Sequence, residues 1–188
     1  WAGGNGGEVG DNSNYDGYAN SIHTIAVGAS SYFGDRASYS EPGTNLVVAA
    51  PSGGGTDQVF EIVINGFPFQ FPYPSVTTTD IAGFYGYDQG DYTSTFNGTS
   101  AAAPMVSGGV ALMLEANPDL SPAEVKEILK LTAERRGDAS APEVDPFWNR
   151  DFGFGMVDAY AAVTMAFDFK QKGLTGAVDV TTQVHVID

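Results

Sequence analysis

Short apolar runs set between clusters of Gly, Asn and Asp fill the first half of the chain, and helical periodicity fills the second. Residues 1–20, WAGGNGGEVGDNSNYDGYAN, carry turn-forming residues at nearly every step and predict loop. SIHTIAVGAS (21–30) and NLVVAAPSGGG (45–55) are β-branched apolar runs between turn signals, the pattern of strands buried on both faces. In QVFEIVINGFPFQFPYP (58–74) Val59, Glu61 and Val63 alternate with Phe60, Ile62 and Ile64 up to Asn65-Gly66, which predicts a hairpin. Its Pro-rich return arm requires an edge position, so the pair reads as a protruding ribbon. From Thr99 or Ser100 to about Ala116 the chain is Ala, Val, Gly, Leu and Met with almost no charge, which predicts a helix buried all round. SPAE (121–124) is a capping box with proline at the first helical position, opening an amphipathic helix to about Ala133. DFGFGMVDAYAAVTMAF (151–167) turns through two glycines into a last helix, and the tail beyond it reads as extended. Strands first, then a buried helix leaving the tip of a sheet, predict an α/β layered protein.

Composition narrows what such a protein does. The 188 residues hold eight Lys+Arg against 23 Asp+Glu, a net charge of −15, which disfavours nucleic acid and anionic membranes and favours cations or basic peptides. The absence of cysteine removes disulfides, thiolate metal sites and a cysteine nucleophile, while leaving the compartment open. No apolar run approaches the roughly 20 residues that span a bilayer.

The stretch with chemical content is FNGTSAAAP (96–104). A serine at the N-terminus of a buried helix sits among N–H groups without intrahelical acceptors, in the positive field of the helix dipole. Those groups suit a nucleophile whose attack creates an oxyanion. Ala101–Ala103 permit close approach to a sheet and a substrate, and Pro104 is expected near the first turn, where its missing N–H costs little. The alternative is a helix N-cap serine. A nucleophile elbow of G-x-S-x-G type does not apply, because Ala102 stands two residues after Ser100.

Taken with WAGGNGG and DFGFGMVDAYAAV, this motif resembles the active-site serine element of the subtilisin-like serine proteases. NGGEVGD, DGYANSI and YSE, in that order, are most similar to the furin/kexin branch of proprotein convertases and its bacterial relatives. The resemblance covers residues 1–56 and 77–165, with 57–76 as an inserted hairpin and 169–188 as a linker or the start of a following β domain. It implies a subtilisin-like layered α/β fold, in which a mostly parallel sheet is flanked by helices and of which this chain is the C-terminal part. It implies that Ser100 attacks the scissile carbonyl and that Asn5 donates to the oxyanion beside the Ser100 N–H. Asp16, with Gly3 and Gly4, would receive a basic substrate side chain. Asp11 and Glu41 would hold a calcium ion behind that pocket, completed by other oxygen ligands. The implied protein is a calcium-dependent endopeptidase acting outside the cytoplasm on peptides or proteins with basic residues.

A serine nucleophile needs a base and an orienting carboxylate. Among the two histidines, His23 reads as a packed strand residue and His185 follows the serine, in the wrong order for this family. The expectation is that Asp and His come from an upstream part of the same catalytic domain, possibly a separate nicked chain. The core face and sheet edge exposed without that part should then be sticky. Two other readings stay open: a calcium-stabilised scaffold without catalysis, and a peptidase of broad specificity in which Asp16 is structural.

Overall fold

The computed structural model describes residues 1–55, 58–136 and 148–172. Two parallel strands, β1 (Ala26–Ser30) and β2 (Leu46–Pro51), form its centre. Each is extended sideways by a short parallel bridge, Ala2 beside Val27 and Met156 beside Ala49, so four lanes of chain run in one direction. Every residue of β1 is buried, as its uninterrupted apolar run requires. The two faces separate by alternation. Val27, Ala29, Val48 and Ala50 meet the helices, whereas Ala26 packs with Ala19 and Leu46, and Ala49 with Phe152 and Met156.

Helix α1 (Thr99–Ala116) packs on β1, β2 and α3 (Ala159–Gln171), and α2 (Pro122–Thr132) packs on α3 and β2. The alanines of the strands and Ala102 on α1, all fully buried, are what bring this helix close to the sheet. The capping box of α2 forms as expected: Ser121 Oγ accepts from the Glu124 N–H while Glu124 Oε2 accepts from the Ser121 N–H at 2.8 Å. Asp158 caps α3 in the same sense, accepting from Ala161 N–H at 2.9 Å.

Two hairpins stand apart from the central sheet. The first, β3 (Val59–Ile64) and β4 (Phe67–Pro72), turns at Asn65-Gly66, both with positive φ, in the register the alternation predicts. Gln58 staples its root, its side chain bonding to Ser38 N–H, Gly55 N–H and Arg36 O, and Phe33 packs edge-on against Phe60 and Tyr73. The second hairpin, β5 (Val76–Thr79) and β6 (Tyr92–Phe96), was not anticipated from the sequence, although its Thr-rich alternation is a strand signal.

Several expectations need correction. The strand expected over 21–30 begins only at Ala26, because Thr24 Oγ1 and Ser21 Oγ bond to nearby backbone and hold 21–24 in a turn. His23 is therefore exposed rather than packed. Helix α1 is buried on one face only, with Met105, Leu112 and Leu114 on its exposed side. Pro104 lies beyond the first turn, since the helix starts at Thr99; its missing N–H leaves the Ser100 carbonyl without the usual partner. Helix α3 continues through Gln171, and the tail expected to be extended, 173–188, lies outside the described residues.

Substituting Ser121→Ala should remove one cap and lower unfolding free energy by about 1 kcal/mol, read from the urea midpoint at unchanged m-value.

Candidate active site

Strand β6 runs into Asn97-Gly98 and directly into α1, and this turn sets the serine. Gly98 is the N-cap, with φ 91° and ψ 164°, a backbone conformation that only glycine adopts without strain. Ser100 is thus the second residue of the helix rather than its cap, and it is exposed. Its N–H, at that position, has no intrahelical acceptor. The turn is held from beneath by a buried ring of hydrogen bonds. Gly98 N–H donates to Tyr39 Oη at 3.0 Å, Tyr39 Oη lies 2.9 Å from Ser52 Oγ, and Ser52 Oγ donates to Gly98 O at 2.9 Å. Burial pushes the Tyr39 phenol above its ordinary value, keeping it a neutral donor and acceptor.

Asn5 reaches this turn from 94 residues away. Its Oδ1 accepts from both Thr99 N–H at 2.9 Å and Thr99 Oγ1 at 2.8 Å. A backbone N–H can only donate, so the amide is fixed with its oxygen on Thr99 and Nδ2 turned towards Gly98. A Cβ placed on Gly98 would lie 3.2 Å from that Nδ2. Among the described residues Nδ2 has no acceptor, and Asn5 is exposed. Two donors without acceptors among the described residues, Asn5 Nδ2 and the Ser100 N–H, therefore lie at one turn of chain.

The loop carrying Asn5 is pinned residue by residue. Gly3 N–H donates to Val27 O at 2.9 Å, Gly4 N–H to Thr99 Oγ1 at 3.2 Å, Gly6 N–H to Glu41 Oε1 at 2.8 Å, and Gly7 N–H to Tyr39 O at 2.9 Å. Glu41 N–H returns to Gly4 O at 3.2 Å. Gly4 has φ 115°, and a Cβ there would overlap the Glu41 carboxylate at 2.4 Å, so glycine is what lets the carboxylate in.

Glu41 is 8% exposed and makes no ion pair among the described residues, an expensive condition for a carboxylate. Asp11 approaches the same place. A Cβ on Gly6 would meet Asp11 Oδ2 at 3.0 Å and Glu41 Oε1 at 3.1 Å. The structure thus brings these two carboxylates together, in surroundings that a divalent cation would relieve. Calcium takes six to eight oxygens, and no group of three or more metal-ligating side chains assembles among the described residues. The pair fits part of a coordination shell.

Asp16 is exposed, and its Oδ1 accepts from Tyr18 N–H at 2.7 Å and Ala19 N–H at 3.0 Å, an Asx turn that leaves one oxygen for other use. It makes no hydrogen bond to Ser100, Asn5, Asp11 or Glu41. Gly3 is buried, and both backbone groups of Gly4 are used internally, so these glycines offer a substrate only a wall without side chains. His23 sits in the turn before β1 without a hydrogen bond to Ser100, and His185 is outside the described residues. The residues missed in the sequence were Thr99, Tyr39 and Ser52. Only the position of Tyr39 two residues before Glu41 hinted at a shared task.

Comparison with known proteins identifies the family. The family model described as Subtilase family matches residues 1–155. A calcium-dependent protease of Trichormus variabilis is 37% identical over 179 residues, covering 88% of this chain and 24% of that protein. Kexin of Candida albicans is 35% identical over 170 residues, covering 88% of this chain and 16% of its own length. A solved protease structure from Pseudoalteromonas arctica superposes with a TM-score of 0.59 at 32% identity, covering 88% of this chain and 41% of that one. The chain spans about a quarter or less of the length of these curated relatives. With its subtilisin-like α/β architecture and a family match over residues 1–155, this chain belongs to the subtilase family.

Proposed function

We propose that this chain contributes the nucleophile and the oxyanion donors of a serine endopeptidase. The observation that carries the reading is the fixed Asn5 amide: Thr99 occupies its oxygen, leaving Nδ2 without an acceptor among the described residues, against the Gly98 turn that leads to Ser100. Ser100 Oγ attacks the scissile carbonyl, and the negative charge that develops on the carbonyl oxygen is met by these two donors. They are held before substrate arrives, so little reorganisation is needed as the tetrahedral intermediate forms. The proton of Ser100 passes to a histidine base, oriented by a carboxylate, supplied from outside the described residues.

Asp11 and Glu41 would hold calcium with oxygens from elsewhere, supported by the burial of Glu41 without an ion pair and by relatives named calcium-dependent. The ion would neutralise Glu41 and stiffen the loop that carries Asn5. The free oxygen of Asp16 would receive an Arg or Lys side chain against the bare wall of Gly3 and Gly4, a reading supported by similarity to kexin. The Asx turn that Asp16 closes favours the alternative of broad specificity. Dependence on calcium fits work outside the cytoplasm, and no helix among the described residues is long and apolar enough to cross a membrane.

In the full-length protein, Ser100→Ala should abolish peptide hydrolysis and labelling by diisopropyl fluorophosphate; labelling that persists at another serine would refute the assignment. Asn5→Ala should lower kcat by about 10²–10³ with KM little changed, the loss measured for one such donor in a subtilisin. Calcium at about 100 times its Kd should raise unfolding free energy by about 2.7 kcal/mol. Glu41→Gln should remove most of that gain, as followed by thermal melts with and without chelator. Peptides differing only in Arg or Leu before the scissile bond should differ more than tenfold in kcat/KM, about 1.4 kcal/mol; a smaller ratio selects broad specificity.

A further inference from the structure

The β3–β4 ribbon is built with one strand edge closed and the other open. Tyr73 N–H donates to Gln58 O at 3.0 Å, so the Gln58–Tyr73 pair is hydrogen-bonded. In an antiparallel ladder bonded and non-bonded pairs alternate. The pairs Val59–Pro72, Glu61–Gln70 and Val63–Pro68 are therefore the non-bonded ones, and their backbone groups point outward. On β4 two of the three outward positions are proline and offer no N–H. On β3 the outward N–H groups of Val59, Glu61 and Val63 are all present, and the ribbon stands as a two-stranded sheet with no third strand among the described residues.

Proteins normally blunt a free edge with lysine, proline or a covering segment. Here β4 is blunted and β3 is not. All residues of β3 but Phe60 are exposed, Val63 to 62%, and the charge midway along the open edge is the exposed carboxylate of Glu61. The ribbon is also continuous with the serine turn. A Cβ on Gly53, at its root, would touch Ser75 Oγ at 2.5 Å and Asn97 Cβ at 2.8 Å, and Asn97 precedes Gly98.

We propose that the β3 edge is a docking strand for an extended polypeptide substrate, which adds to the ribbon as a third strand. Main-chain bonds would come from residues 59, 61 and 63, apolar contact from Val59 and Val63, and preference for a basic residue opposite from Glu61. The net charge of −15 acts in the same direction, favouring basic segments. The occupant rests on the peptidase reading above, since a protein that binds no polypeptide has no use for such an edge.

The test uses the full-length protein carrying Ser100→Ala, so that binding is read without turnover. A fluorescein-labelled unstructured peptide of alternating valine and lysine is titrated by anisotropy. Glu61→Pro closes the edge as Pro68 and Pro72 close β4, and Glu61→Lys reverses the charge while keeping the strand. Each should weaken binding at least fivefold at unchanged melting temperature, with the loss from Glu61→Lys shrinking at high salt. Unchanged affinity in Glu61→Lys overturns the proposal, including the case where Glu61→Pro does not fold. Loss of a dimer with unchanged peptide affinity also overturns it, assigning the edge to a second copy of the chain. Absence of hydrolysis by the unmutated protein would sink the peptidase reading alone, because the binding measurement does not depend on it.

Discussion

The paired hydrogen bonds from Thr99 to the Asn5 side-chain oxygen tie together two segments that the chain itself keeps 94 residues apart. The proposed nucleophile and oxyanion donors are arranged around that junction. On one side, Thr99 is the first residue of α1, so the helix axis, the exposed Ser100 and its unpaired N–H are all oriented by the same bonds. On the other, Asn5 is the tip of a glycine loop whose every turn is pinned to β1, to Glu41 or to Tyr39. A net hydrogen bond contributes only about 1 kcal/mol, but a buried partner left unsatisfied costs 1–3 kcal/mol. The junction therefore behaves as a unit rather than as a sum of weak contacts.

Two supports make the junction rigid, and they work by different physics. Beneath Gly98, a ring of neutral hydrogen bonds through Tyr39 and Ser52 satisfies both polar groups of a peptide that no side chain larger than hydrogen allows. Beneath Gly4 and Gly6, a buried carboxylate does the same work with charge, and charge buried without a partner is unstable unless a cation or another donor meets it. The first support is complete within the chain. The second is not: Glu41 is buried with no ion pair among the described residues, which is the basis for proposing a cation there.

The core follows from small residues. Alanines on β1 and β2 pack with Ala102 on α1, so the helix approaches the sheet closely, and its N-terminus is bonded to Ser52, just past the end of β2, and to the glycine loop. The opposite face of α1, with Met105 and Leu112 exposed, shows that its apolar composition exceeds what the described residues cover. Likewise the β3–β4 ribbon keeps apolar side chains on the surface, anchored through Gln58 and Phe33 rather than through the main core.

Local sequence rules were sufficient wherever a signal and its partner lie within a few residues. The capping box at Ser121, the Asn65-Gly66 turn, the apolar run of β2 and the helix after Gly98 appeared where periodicity and turn chemistry put them. Ser100 with its companions Asn5, Asp11 and Glu41 was singled out by the resemblance of their motifs to the subtilases. Short-range competition was harder to read: Ser21 and Thr24 diverted the start of β1 into a turn and left His23 exposed. What only the tertiary structure decided is which groups meet. That Asn5 is oriented by Thr99, that Tyr39 and Ser52 hold Gly98, and that Asp11 and Glu41 converge across Gly6 depends on long-range closure. No propensity or period encodes it, because each residue type there is equally at home in an ordinary turn.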